Sequence, residues 1–162
     1  NQSLSPIKSD LYNKILNPFR GKYIDLALRK YFAKENDLEF NDKYYKQIMK
    51  ESTKTILSLK YYYNRPRPYQ LAEYYGNREF EIHNLDSAKT PSYPSGHTIQ
   101  GHLMAELLGR EYPKHWSKFK DLADFVSKSR IMARAHYPSD VKFGEEVAQH
   151  ILGKVIQGVK ND

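Results

Sequence analysis

Apolar residues recur at three- and four-residue spacing through Ile7–Leu16, Tyr23–Phe32 and Tyr44–Tyr63. That is the period of an amphipathic helix, not the alternation of a half-buried strand. Asp10, Asp25 and Asp42 fall in the expected first turns, where a carboxylate suits the positive end of a helix. In the third segment Ile48, Ile56, Leu57 and Leu59 stand among lysines, which predicts a long helix with one apolar side. It stops at Arg65-Pro66-Arg67-Pro68, because two prolines one residue apart cannot continue a helix. From there to Pro94 the pattern predicts an irregular connection with one short helix around Leu71–Tyr75. Connections longer than about 12–15 residues in a compact domain are often functional. Ser95 reads as an N-cap, followed by Ile99, Leu103, Leu107 and Leu108 at helical spacing as far as Gly109 or Tyr112. A further helix is expected from about Trp116 to Ala135, with Leu122, Phe125, Val126, Ile131 and Met132 on one side. His136-Tyr137-Pro138 interrupts it, and a last helix starts near Ser139 or Asp140 and carries Val147, Ile151, Leu152 and Val155. With no repeat, linker or low-complexity block, the expectation is an all-α bundle in a single domain spanning 1–162.

Composition removes several classes of function. The 162 residues include no cysteine, which excludes disulfide scaffolds, thiolate zinc sites and cysteine nucleophiles. Mean hydropathy is −0.79, and no apolar run approaches the roughly 20 residues that cross a bilayer. The first 19 residues lack an apolar signal core, so the chain is either cytoplasmic, or periplasmic or secreted with a signal peptide removed. The net charge of +7 fits a solvated lysine-rich surface, an anionic substrate or nucleic acid, and does not choose among them.

Three clusters carry candidate chemistry, each at a break between helices. Lys60 precedes Arg67-Pro68 by seven residues, about two turns, so both face one side if the helix persists. Taken alone, this pair reads better as the ordinary surface charge of a basic protein. Pro94-Ser95-Gly96-His97 places a serine hydroxyl, free backbone N–H groups and a histidine at a helix start, a ready anion site; a plain N-cap beside an incidental histidine is the alternative. Ser129-Arg130 is followed by His136 and then Asp140. A carboxylate within reach of one ring nitrogen fixes the tautomer and leaves the other with its lone pair forward. A capping aspartate near an unrelated histidine would look the same. Together the clusters supply three cations, an anion-binding helix start and two histidines, which is what phosphoryl transfer without a metal requires.

The order and spacing of Lys60, Arg67 and Pro68, of Pro94, Ser95, Gly96 and His97, and of Ser129, Arg130, His136 and Asp140 resemble the three-part signature of the type 2 phosphatidic acid phosphatase superfamily. This superfamily includes bacterial class A nonspecific acid phosphatases, membrane lipid phosphatases and vanadium haloperoxidases. The likeness covers 60–140, and Ser92 to Thr98 and Ser139-Asp140-Val141 look most like the soluble class A enzymes. The chain is shorter than those enzymes, with a reduced N-terminal region, and Arg134, Ala135, Tyr137 and Pro138 are less typical. The resemblance implies a helical bundle of the acid phosphatase/haloperoxidase type and hydrolysis of phosphomonoesters through a phosphohistidine, inhibited by vanadate. It implies His136 as nucleophile, Asp140 as its orienting carboxylate and His97 as proton donor. Lys60, Arg67, Ser95, Gly96 and Arg130 would hold the phosphoryl oxygens. His136 must then start neutral and His97 charged, which predicts a mildly acidic optimum.

No metal ligand or cofactor is expected, and the expected partner is a small phosphorylated substrate rather than nucleic acid. Self-association is left open. His102 and Glu106, and Glu146 and His150, lie four residues apart but read as surface or interhelical contacts. His83 and His115 fall in loops, and most of Tyr61, Tyr62, Tyr63 and Tyr69 read as packing residues beside the site. A vanadate-dependent haloperoxidase shares the signature but is far larger. A non-catalytic basic binder of polyanions would have no use for a histidine oriented by Asp140. A membrane lipid phosphatase would need spanning helices.

Overall fold

The computed structural model describes residues 24–76, 90–132 and 134–161. The helix expected over Ile7–Leu16, and His83, lie outside them. Among the described residues there are helices and no strands, as the periodicity requires: α1 (Ile24–Glu35), α2 (Asp42–Tyr63), α3 (Pro68–Tyr74), α4 (Gly96–Glu111), a 3₁₀ turn (Pro113–His115), α5 (Trp116–Met132) and α6 (Pro138–Asn161).

α4 is the centre of the bundle. Twelve of its 16 residues are buried, so it is covered almost all round, and α5 and α6 pack along it most extensively. Ile99, Leu103, Met104 and Leu108 of α4 form the core with Ile48, Met49 and Ile56 of α2, Phe119 and Ala123 of α5, and Val147, Ala148, Ile151 and Leu152 of α6. α1 closes one side. Its Phe32 meets Phe119 edge-on at 5.0 Å. Its buried Arg29 donates to the carbonyls of Phe119 and Gly101, which joins α1 to α5 and α4 through a charge-assisted pair of bonds.

Two of the sequence-based expectations shift. α2 ends not at the prolines but at Asn64, whose left-handed backbone (φ 50°, ψ 40°) closes the helix with an N–H bond to the Lys60 carbonyl. Asparagine tolerates this conformation better than most residues. Arg67 therefore lies beyond the helix, and Lys60 and Arg67 do not share a helical face. On α5 the buried side is Phe119, Ala123, Val126, Ser127, Ser129 and Arg130, while Leu122, Phe125 and Ile131 are half-buried and Met132 is exposed. Hydropathy misplaces this face because its lower half is polar: Thr98 donates to Ser127 at 2.9 Å between α4 and α5.

Candidate active site

Residues 64–67 and 90–95, the start of α4 and the α5–α6 corner meet at one end of the bundle. They enclose a cavity of about 330 Å³ lined by Lys60, Arg67, Gly96, His97 and His136, with Thr90, Gln100, Thr53, Ile56 and Leu57 completing its wall. Five of the eight residues singled out from sequence thus face one space. The other three, Ser95, Arg130 and Asp140, are buried but are not among the lining residues.

His136 sits at the corner between α5 and α6, and its two ring nitrogens have opposite partners. Nε2 lies 3.2 Å from Nη1 of Arg67, and Nδ1 lies 3.1 Å from Oδ2 of Asp140. A guanidinium can only donate and a carboxylate can only accept. Nε2 must therefore carry the lone pair and Nδ1 the proton. Burial pulls the His136 pKa down to about 4, although the Asp140 hydrogen bond opposes it. The ring is neutral, with its lone pair at the cavity.

Asp140 anchors that ring and is itself over-determined. Oδ2 also accepts from the Ser92 hydroxyl and from the Tyr137 N–H at 2.9 Å, and Oδ1 accepts from Arg65 at 2.8 Å. Burial pushes its carboxyl up, but the hydrogen bonds from His136, Ser92 and Tyr137 outweigh this and hold it below the usual range. Arg65 is fixed in turn by Ser139 Oγ at 2.7 Å and by the Tyr93 ring, 4.2 Å from its guanidinium carbon. Neither Arg65 nor Ser92 emerges from the sequence reading. The available signal was their place inside the two signature segments, two residues before Arg67 and three before Ser95.

The cations are buried. Lys60 Nζ donates to the Pro91 carbonyl at 2.7 Å. Burial, with the Arg67 charge beside it, pulls its pKa down to about 7. Arg67 donates through Nε to the Thr90 carbonyl at 2.7 Å and through Nη1 to the Ala135 carbonyl at 3.1 Å, so its fork is aimed by backbone from two segments. Burial brings its pKa to about 10, still fully charged at neutral pH.

Ser95 caps α4, its Oγ accepting from the Thr98 N–H at 3.3 Å, while its own N–H donates to the Asp140 carbonyl at 3.1 Å. It faces the helix start, not the cavity. Gly96 permits the close approach of α2: an added Cβ would lie 3.3 Å from Ile56 Cγ2 and 3.6 Å from Lys60 Cε.

His97 departs from expectation. It is buried, and its Nε2 has no hydrogen-bond partner among the described residues. Burial holds its pKa well below 6.5, reinforced by Arg130, His136, Lys60 and Arg67. In the protein alone His97 therefore favours its neutral form, because burial penalises the charge and Arg130, Lys60 and Arg67 repel it.

The tyrosines are also placed differently. Tyr61, Tyr62 and Tyr63 are exposed, since the buried side of α2 runs through Ser52, Ile56 and Lys60. Tyr63 meets Tyr93 edge-on at 4.8 Å and Tyr62 at 5.0 Å. His115 packs edge-on against Phe32 at 5.7 Å. No helix among the described residues is long and apolar enough to cross a membrane.

A family profile described as the PAP2 superfamily matches residues 48–157. The non-specific acid phosphatase of Salmonella typhimurium is 36% identical over 90 residues, which cover 56% of this chain and 35% of that protein. A protein of the same description from Salmonella typhi is 34% identical over 90 residues, with the same coverage. The chain spans about a third of the length of these curated relatives.

Proposed function

Since the chain belongs to the PAP2 superfamily, we propose that it is a metal-independent phosphatase that hydrolyses phosphomonoesters through a phosphohistidine on His136. The observation that carries this reading is the fixed tautomer of His136, with Nδ1–H on Asp140 and the Nε2 lone pair beside Arg67. The naming of both curated relatives as acid phosphatases supports it.

Lys60, Arg67 and Arg130, with the N–H groups at the start of α4, stabilise the phosphoryl oxygens as charge builds on them. His136 Nε2 forms a bond to phosphorus, the ester P–O bond breaks, and His97 protonates the departing alkoxide. The resulting positive imidazole is steadied by Asp140. Water then gives its proton to His97 and attacks phosphorus. The P–N bond breaks and His136 returns to its neutral form.

The neutral His97 changes where the first proton originates. A phosphomonoester has its second pKa near 6, so at mildly acidic pH the monoanion brings a proton with it. Monoanion with neutral His97 is the same protonation state as dianion with charged His97. A bound dianion also offsets the positive charge of Arg130, Lys60 and Arg67, which adds to the burial that holds His97 down. The pH dependence of kcat/KM follows from the free enzyme. Activity should fall below about pH 4, as His136 takes up a proton, and fall above about pH 7, as Lys60 loses its charge.

The test is a panel of phosphomonoesters assayed with wild type and His136→Ala, with vanadate as inhibitor and EDTA as control. The expected result is hydrolysis blocked by vanadate, initial rates untouched by EDTA, and a protein-bound, acid-labile phosphate that His136→Ala lacks. Equal hydrolysis by wild type and His136→Ala would overturn the proposal.

A further inference from the structure

His97, Arg130 and Asp140 lie on or at the ends of α4, α5 and α6. Five, six and five residues along the same three helices, about 7–9 Å by the helical rise, a second constellation forms from His102, Asp124 and Glu145. Their ligand atoms all lie within 4.8 Å of one another. His102 Nε2 faces Asp124 Oδ1 at 3.5 Å and Glu145 Oε1 at 3.7 Å. The helical pairings suggested by spacing alone do not form this group: neither Glu106 nor His150 takes part.

The histidine is the informative member. His102 is only 9% exposed, and its buried Nε2 has no hydrogen-bond partner among the described residues. It points at two carboxylates from just beyond bonding distance. Lys120 does not neutralise the acids directly in this arrangement, because its ammonium lies over the Trp116 ring at 5.4 Å.

We propose that His102, Asp124 and Glu145 bind a divalent transition-metal cation of the zinc type, which clasps α4, α5 and α6. Zinc lies about 2.0–2.2 Å from nitrogen and carboxylate oxygen, so two ligands in a tetrahedral shell are about 3.4 Å apart. The Nε2–oxygen separations of 3.5 and 3.7 Å need little change to meet that. An imidazole in the set favours zinc-like ions over magnesium or calcium, which prefer oxygen alone. Both carboxylates are about half exposed, giving the ion a path from solvent and water for the remaining positions. The cation takes no part in the proposed hydrolysis. It fixes the spacing of the three helices that carry His97, Arg130 and Asp140, and it stands whether or not that chemistry is correct.

Zinc ions titrated into the metal-stripped full chain, in phosphate-free buffer, test the clasp by calorimetry and thermal melting. His102→Ala opens a buried position and risks misfolding, so Asp124→Asn and Glu145→Gln serve as the variants. One zinc per chain with micromolar or tighter Kd is expected, weakened at least tenfold in each variant. Tm should rise with zinc in the wild type and rise less in the variants. No saturable binding, or wild-type affinity in either variant, would overturn the proposal.

Discussion

At the scale of single residues, the site depends on Asp140 being a carboxylate that accepts four hydrogen bonds. In Asp140→Asn the amide offers one accepting oxygen where His136, Ser92, Arg65 and the Tyr137 N–H all donate. The NH₂ group turned toward His136 would need an accepting Nδ1, which moves the ring proton to Nε2. The expected result is a fall in kcat of about 10³–10⁴-fold, as for a wrong tautomer in a comparable triad, with KM little changed and the tautomer switch visible by ¹⁵N NMR. Arg65→Met makes a different prediction. Without the guanidinium at 2.8 Å, Asp140 directs more of its charge at His136 and raises that pKa. The acid limb of kcat/KM should move upward from about pH 4, and an unmoved limb would remove Arg65 from this role. These two residues also mark what the sequence conceals. Lys60, Arg67, His97, Arg130, His136 and Asp140 were legible because their spacing repeats a known pattern. Arg65 and Ser92 reach Asp140 across 75 and 48 residues, and no local pattern reports such a contact.

At the scale of elements, helix positions were legible and helix faces less so. Periodicity placed α2, α4 and α6 closely, since each buries an apolar side. It failed on the lower half of α5, where Ser127, Ser129 and Arg130 are buried for their polar contacts. The fit of α6 against the start of α4 was not legible either, because it depends on the lack of a side chain. A Cβ at Gly144 would lie 3.1 Å from the Ser95 carbonyl oxygen and 3.1 Å from Thr98 Cβ. The backbone oxygen cannot rotate away. Gly144→Ala should therefore cost about 1–3 kcal/mol by overpacking. Gly153→Ala is the control on the same helix: it is exposed and its Cβ would meet nothing within 4 Å. Helix propensity alone should make it about 0.5–1 kcal/mol more stable. Urea unfolding of both variants measures the contrast.

At the scale of the whole molecule, burying neutral histidines links stability to pH. The unfolded chain takes up protons on histidine below about pH 6.5, while folded His136 does so only near pH 4 and folded His97 also lies well below 6.5. Through this window the unfolded state binds more protons, so their contribution is complete above pH 6.5 and is lost as pH falls. For His136 alone the full difference is on the order of 3 kcal/mol. Calorimetry from pH 7 to pH 4 should show Tm falling, less steeply in His136→Asn and less steeply with saturating vanadate. The many bonds to Asp140 have one more consequence, in the order of events during synthesis. Every other proposed catalytic group precedes it in the chain, and Ser92, Ser95 and Arg65 gain their partner only when α6 docks. A nascent chain that has released α1 to α5 can collapse around α4 yet holds no oriented nucleophile. Orientation of the proposed nucleophile therefore waits for the last helix, which carries Asp140.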